Sequence, residues 1–195
     1  TTFNLGAFQQ QIRLQNATLP PVDKWNPEFC GDIDIQIKHD GTWFYMGTPI
    51  GRKPLVKLFA SVLKREDDHY FLVTPVEKVG IQVEDVPFII TQWQKENSKL
   101  VLTTNTGQII VVSSENPIQI FADKKTGTYL PYALVHRNLW ARLHQNVFYQ
   151  SEDPNPLNLE NNVNFRNSNS QIRKISQNLF RKESVKTPYN DELEN

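Results

Sequence analysis

The sequence contains one cysteine, Cys30, among 195 residues. A single thiol excludes an intramolecular disulfide within this sequence and a zinc site built from several cysteines. Such scarcity is typical of proteins from a reducing compartment, so we expect a cytoplasmic protein.

Long apolar runs are also missing. No stretch approaches the roughly 18 consecutive apolar residues that a membrane-spanning helix needs. Residues 1–21 lack the basic start and continuous apolar segment of a secretory signal. We therefore expect neither membrane insertion nor export.

An excess of charge of one sign is absent, because 21 Lys and Arg residues are matched by 21 Asp and Glu residues. Proteins that hold a phosphate backbone or an anionic membrane by charge alone carry a strong positive field. The balanced charge argues against a nucleic-acid partner.

Recognisable catalytic and cofactor motifs are missing too. The four histidines show no paired metal-binding spacing, and no Ser/His/Asp or Cys/His arrangement can be assembled from local sequence. We expect no cofactor, and the chain gives more support to a binding protein than to an enzyme.

The clearest structural pattern begins at Ile33, where apolar residues alternate with polar ones through Ile37. This period predicts a strand with one buried face, followed by a tight hairpin turn at Asp40-Gly41. The returning strand, 42–47, has bulky residues on both faces. Its second face must therefore be covered.

A helix follows, with apolar residues spaced at about 3.6 from Leu55 to Leu63 and Pro54 in its first turn. The pattern predicts an end near Arg65. Further strands are expected at 70–74, 80–84, 87–93, 100–103, 109–112 and 118–121, and a closing helix is expected from near Asn138 to about Tyr149.

These elements predict an α+β fold with two small similar halves, each made of antiparallel β strands and hairpins packed on one amphipathic helix. An N-terminal extension covers 1–24 and includes a short helix over 3–14. The halves cover 25–88 and 89–150. The polar segment 151–195 is expected to be mostly disordered. Within it, 170–182 is either a partner-binding helix or a transient helix in a solvated tail.

Four segments of the sequence resemble one bacterial family: CGDIDIQIKHDGTWFYMGTPIGRKPLVKLFASVLKRED, LVTPVEKVGIQVEDVPF, TTNTG and PYALVHRNLWARLHQNVFY. Together they are similar to domain of unknown function 1285 over roughly 25–150. The resemblance implies a two-part α+β fold built from repeated motifs and a suggested role in ligand sensing or signal transduction. It implies no agreed catalytic residues.

The best candidate ligand contact is the loop from Thr48 to Lys53. A glycine-containing loop that leads into a helix offers backbone donors to an anion, and Arg52 adds charge beside Gly51. Alternatively, these basic residues pair with Glu77, Glu84 or Asp85 and the loop is purely structural. The loop lacks the spacing of a P-loop.

Other candidates flank this loop. Trp43 and Tyr45 could line an apolar pocket or simply fill the core, and Glu77 and Lys78 lie in a strand connection that could contact a ligand or form a salt-bridged turn. Asp32 and Asp34 share a strand face and are weak candidates for binding a divalent cation. An exposed acidic face is the alternative.

Three functions follow from these candidates. The first is a small-molecule or anion binding or sensory module, with a link to signal transduction that the family resemblance implies. The second is a metal-assisted hydrolase that uses Asp32 and Asp34. The third is a protein-interaction module that uses the aromatic strand or the C-terminal tail.

Overall fold

The computed structural model describes residues 3–16 and 19–143, and the chain divides into two compact units, Thr1–Glu84 and Asp85–Asn195. The expected disordered tail and the partner-binding helix at 170–182 lie outside the described residues.

The first unit contains one six-stranded sheet, two α-helices and a short 3₁₀ helix. The strands lie in the order β3-β2-β1-β6-β5-β4, in which β1 and β6 are parallel and all other neighbours are antiparallel. The elements are α1 (Leu5–Arg13), the 3₁₀ helix (Val22–Lys24), β1 (Phe29–Ile37), β2 (Trp43–Tyr45), β3 (Thr48–Pro49), α2 (Lys53–Ser61), β4 (Leu63–Glu66), β5 (His69–Val73) and β6 (Lys78–Val83).

The predicted hairpin after β1 is confirmed. The amide of Lys38 donates to the carbonyl of Thr42 at 2.9 Å, and Gly41 adopts a φ of 85°, which glycine tolerates. The Asp40 side chain accepts from the Thr42 amide at 3.0 Å, and this bond lowers the pKa of Asp40 below its ordinary value. The hairpin sets Ile37 opposite Trp43.

An aromatic core joins the helices to one face of the first sheet. Phe59 of α2 packs between Phe8 of α1, with ring centroids 6.3 Å apart, and Trp43 of β2, at 6.4 Å. All three side chains are buried, together with Ile35 and Ile37. Trp43 therefore fills the space between sheet and helix.

The second unit contains another six-stranded sheet. Its order is β9-β8-β7-β12-β11-β10, in which β7 and β12 are parallel and all other neighbours are antiparallel. The strands are β7 (Phe88–Glu96), β8 (Lys99–Thr104), β9 (Ile109–Val111), β10 (Ile118–Ala122), β11 (Tyr129–His136) and β12 (Leu139–Leu143).

The two sheets share one topology. In each, two three-stranded meanders join through a parallel pair formed by the first strand of one meander and the last strand of the other. The expectation of two similar halves is confirmed at this level. The antiparallel pairing expected within each half holds for the hairpins but not for the central pair, which is parallel.

Two helix predictions need correction. The helix expected from Asn138 is wrong over Leu139–Leu143, which forms β12, and the rest of that prediction lies outside the described residues. Helix α2 ends at Ser61, and the segment predicted to continue it to Arg65 forms most of β4. Both described α-helices belong to the first unit, so the expected helix of the second half is not found within 85–143.

None of the helices in the described part of the chain has the length and apolar character needed to cross a membrane.

Candidate functional site

The loop singled out in the sequence leads directly into α2, which begins at Lys53 after Arg52 as its N-cap. The Arg52 side chain makes no capping hydrogen bond, and Pro54 has no N–H. The amides of Leu55 and Val56 both donate to the Arg52 carbonyl, at 3.1 and 3.2 Å. Few backbone donors remain for a ligand, so any anion would be held mainly by side chains.

Three cations surround this helix start: Arg52, Lys53 and Lys57, which together are called the α2 cation cluster. All three residues are exposed, and none forms an ion pair with a residue that the structure describes. Lys57 was missed in the sequence, although its i,i+4 spacing from Lys53 places both on one helix face. The alternative pairing with Glu77 or Glu84 does not occur, and Asp85 belongs to the second unit, where it pairs with Arg142.

Four other cations of the first unit have acidic partners. Their ion pairs are Lys38–Glu84 at 3.6 Å, Lys64–Glu66 at 3.5 Å, Lys78–Glu66 at 2.7 Å and Arg65–Asp68 at 3.6 Å. Arg13 and Lys24 are exposed and also have no ion pair among the described residues, so the α2 cation cluster is distinguished by having three such cations at one helix start.

Charge at the start of α2 runs against the helix dipole. The N-terminal end of a helix carries a partial positive charge, and anionic groups there contribute typically about 0.3–1 kcal/mol. The first turn of α2 contains no acidic residue, while Arg52 and Lys53 add positive charge. A bound anion would relieve this repulsion.

Trp43 lies beneath the loop but not on the surface. It is 1% exposed, and its carbonyl accepts from the Ile50 amide at 2.8 Å, which ties the loop to β2. Its buried indole Nε1 has no hydrogen-bond partner among the described residues. Tyr45 is half-buried on the same strand, while Thr48 and Gly51 are exposed.

Glu77 and Lys78 have partners elsewhere in the first unit. Glu77 accepts from the Gln11 amide group of α1 at 2.8 Å. Lys78 donates to both carboxylate oxygens of Glu66, and its ammonium lies 4.3 Å from the Phe71 ring centroid. The Lys78 hydrogen bond lowers the pKa of Glu66. These contacts give both residues a structural role.

Asp32 and Asp34 are exposed on β1. Asp32 lies against Gly80 of β6, since a Cβ added to Gly80 would come 2.0 Å from its Oδ1. Among the described residues, neither carboxylate belongs to a set of three or more candidate ligands whose atoms lie within 4.8 Å of one another. Their exposure on one strand agrees with the alternative of an exposed acidic face.

The structure also reveals a buried polar cluster that sequence reasoning missed. Asp85, at the start of the second unit, is 2% exposed and accepts three hydrogen bonds. Its Oδ2 receives the Tyr132 hydroxyl at 2.8 Å and Arg142 Nη1 at 2.7 Å, and its Oδ1 receives the Lys124 amide at 2.9 Å. We call Asp85, Tyr132 and Arg142 the Asp85 cluster.

In the Asp85 cluster, the protonation of Tyr132 suits its hydrogen bond to the Asp85 carboxylate. Burial, followed by the nearby charge of Asp85, raises the pKa of Tyr132 far above its usual value. The phenol therefore stays protonated and keeps donating to Asp85. Because the carboxylate is occupied by three internal donors, the cluster acts as a structural tie between β11, β12 and the chain that leads into β7.

No local signal marks this cluster in the sequence. Tyr132 and Arg142 lie 47 and 57 residues from Asp85, and their pairing depends on the register that sets Tyr132 opposite Arg142. Asp85 follows Glu84 and has the appearance of a surface residue in an acidic turn.

Both units match family models. Residues 20–86 match "Domain of unknown function (DUF1285), N-terminal domain", and residues 87–154 match "Protein of unknown function (DUF1285), C-terminal domain". The chain belongs to the DUF1285 family. No curated protein matches the chain.

Two solved structures are similar to the chain. A DUF1285 family protein from Silicibacter pomeroyi DSS-3 is 44% identical, with a TM-score of 0.67 over 73% of this chain and 81% of that one. A DUF1285 family protein from Shewanella baltica OS155 is 32% identical, with a TM-score of 0.48 over 60% of this chain and 87% of that one.

Proposed function

We propose that this protein is a binding module for a small anionic ligand and that the α2 cation cluster is its site. One observation carries the proposal: Arg52, Lys53 and Lys57 lie together at one helix start, are exposed and have no ion pair in the described part of the chain. A sensory role in signal transduction extends this proposal, because ligand occupancy would stabilise the start of α2.

The chemistry favours a compact anion with several oxygens, such as a phosphorylated small molecule. The guanidinium of Arg52 matches two oxygens of a phosphate or carboxylate, and the two ammonium groups supply point charges one helical turn apart. Thr48 and Gly51, also exposed, lie in the same loop. Tyr45 and Trp43 support the loop from β2.

The metal-assisted hydrolase has less support. Asp32 lies over Gly80, and the part of the chain that the structure describes offers Asp32 and Asp34 no third nearby ligand. Cation binding through oxygen generally needs more ligands than two carboxylates. The anion-binding proposal therefore ranks first.

Native mass spectrometry of the full chain, purified without added ligand, tests the proposal. We expect a bound anionic species that is lost in Arg52→Ala. Titration with inorganic pyrophosphate should show binding that Arg52→Ala weakens roughly ten- to a hundredfold, since a hydrogen bond to a charged group contributes about 1.5–3 kcal/mol.

Lys24→Ala is the matched control, because Lys24 is another exposed cation of the first unit with no ion pair among the described residues. This variant should bind like the parent. If Lys24→Ala and Arg52→Ala lost pyrophosphate affinity equally, the effect would come from net charge and not from a site. Unchanged binding in Arg52→Ala would rule out the site.

A further inference from the structure

Strand β9 forms one edge of the second sheet, and β8 is its only neighbour among the described strands. The Val112 amide donates to the Leu100 carbonyl at 2.9 Å, and the Thr104 amide donates to the Gln108 carbonyl at 2.9 Å. Because backbone groups alternate in direction along a strand, those of Ile109 and Val111 point away from β8. These outward-facing N–H and C=O groups form an edge that pairs with none of the described strands.

The side chains of the same two residues are unusually exposed. Ile109 is 71% and Val111 is 41% exposed, while Ile110 and Val112 are buried on the opposite face. Two β-branched residues thus stand on the outer face of an edge strand, where they suit a cross-strand partner.

The other three sheet edges are protected. Edge strand β3 contains Pro49, β4 carries three consecutive charged residues, 64–66, and β10 is flanked by Pro117 and by the charged segment 123–125. Charge and proline are the usual means of preventing edge-to-edge pairing. Residues 107–114, which contain β9, have neither.

We propose that β9 pairs with β9 of a second copy of this chain, antiparallel, around a two-fold axis at Ile110. In this register Ile109 lies opposite the partner's Val111, and Val111 lies opposite the partner's Ile109. Four backbone hydrogen bonds then join the outward-facing groups of the two copies. The same surface serves both copies, as two-fold symmetry requires.

The charge of the strand favours a second copy over other occupants. Because 107–114 has no charge, two copies can align without repulsion, whereas an acidic or basic partner segment would find no opposite charge on it. The ladder is short, so the interface is far below the standard size of stable complexes. We expect a weak dimer, populated at protein concentrations on the order of 0.1 mM.

Sedimentation equilibrium of the full chain over a concentration series tests this pairing with two variants of equal polarity. Ile109→Lys/Val111→Lys places lysine opposite lysine twice and should weaken dimerisation at least about tenfold. Ile109→Lys/Val111→Glu places lysine opposite glutamate in the proposed register and should retain dimerisation. Gln92→Lys/Gln119→Lys adds two lysines at exposed positions of β7 and β10 and should behave like the parent.

Amide hydrogen exchange gives an independent readout. In the dimer, the amides of Ile109 and Val111 should exchange slowly, and in the double-lysine variant they should exchange fast. A parent that stays monomeric at all concentrations overturns the proposal, as does a dimer that all variants form equally well. If the protein is monomeric and the Ile109 and Val111 amides are nevertheless protected, another segment pairs with β9. That result also overturns the proposal.

Discussion

At the residue scale, Asp85 and Arg142 form a buried ion pair, whose net contribution to stability is the difference between its attraction and its desolvation cost. Removing two charges from water is costly, and the cost is recovered only when the geometry is good and the other polar atoms are satisfied. Here the carboxylate has three donors, at 2.7, 2.8 and 2.9 Å. Loss of the carboxylate would remove its ion pair and hydrogen bond from the buried guanidinium of Arg142.

Asp85→Ala should therefore lower the free energy of unfolding of the second unit by about 3–5 kcal/mol. Tyr132→Phe removes one hydrogen bond and leaves the ion pair, so its cost should be about 0.5–3 kcal/mol. Urea denaturation followed by circular dichroism measures both. If both variants were as stable as the parent, the cluster would have no structural role.

A double variant separates the charge from the packing. Asp85→Ala/Arg142→Met removes both charges, so it should be more stable than Asp85→Ala alone. This coupling could not be predicted from the sequence, because local patterns describe neighbours in the chain. Asp85, Tyr132 and Arg142 meet only after β11 and β12 have paired in one register.

At the element scale, the start of α2 combines a poor helix terminus with an exposed basic surface. A good terminus would have a capping side chain and an acidic first turn. Arg52 caps without a side-chain bond, and Lys53 repels the partial positive charge of the helix end. Departures from local rules of this kind are expected at functional sites.

Lys53→Glu should have opposite effects on stability and binding. A carboxylate in the first turn should stabilise the first unit by about 0.3–1 kcal/mol, because it complements the dipole. The same change should abolish pyrophosphate binding. Thermal denaturation and calorimetry of one preparation measure the two effects, and Lys24→Glu is the control for added negative charge. A loss of stability together with a loss of binding would indicate damage to the fold.

The element boundaries show which patterns the sequence conveys well. The alternation at Ile33–Ile37 led to the correct strand and hairpin. Leu139 and Leu143 fit both helical spacing and a strand, and Ala141 between them is also buried, so the period of 2 is the one realised. The loop 48–53 could be located from its glycine and basic residues. That Arg52 and Lys53 have no acidic partner among the described residues could be seen only in the folded structure.

At the scale of the whole molecule, one topology occurs twice with little visible repetition of sequence. Each sheet centres on a parallel pair, β1 with β6 and β7 with β12. Parallel partners lie far apart in the chain, and no turn motif announces them. The β1–β2 hairpin was therefore predictable from local residues, whereas the two central pairs and strand β11 were not.

The balanced charge of the whole chain limits what the α2 cation cluster can bind. With 21 basic and 21 acidic residues, no long-range field adds to the three local cations, and screening confines their effect to about 8 Å at physiological salt. We expect no duplex DNA binding at about 0.15 M salt. Any binding at lower salt should show a log–log salt slope no steeper than about −3, since at most three phosphates can be neutralised.

Fluorescence anisotropy with a labelled duplex, between about 50 and 200 mM salt, measures this slope, and Arg52→Ala should make it shallower by about 0.9. Pyrophosphate needs only the local cluster and should still bind where the duplex does not. Tight duplex binding with a steep slope would instead require a basic surface larger than the α2 cation cluster, and it would replace the small-anion proposal with nucleic-acid recognition.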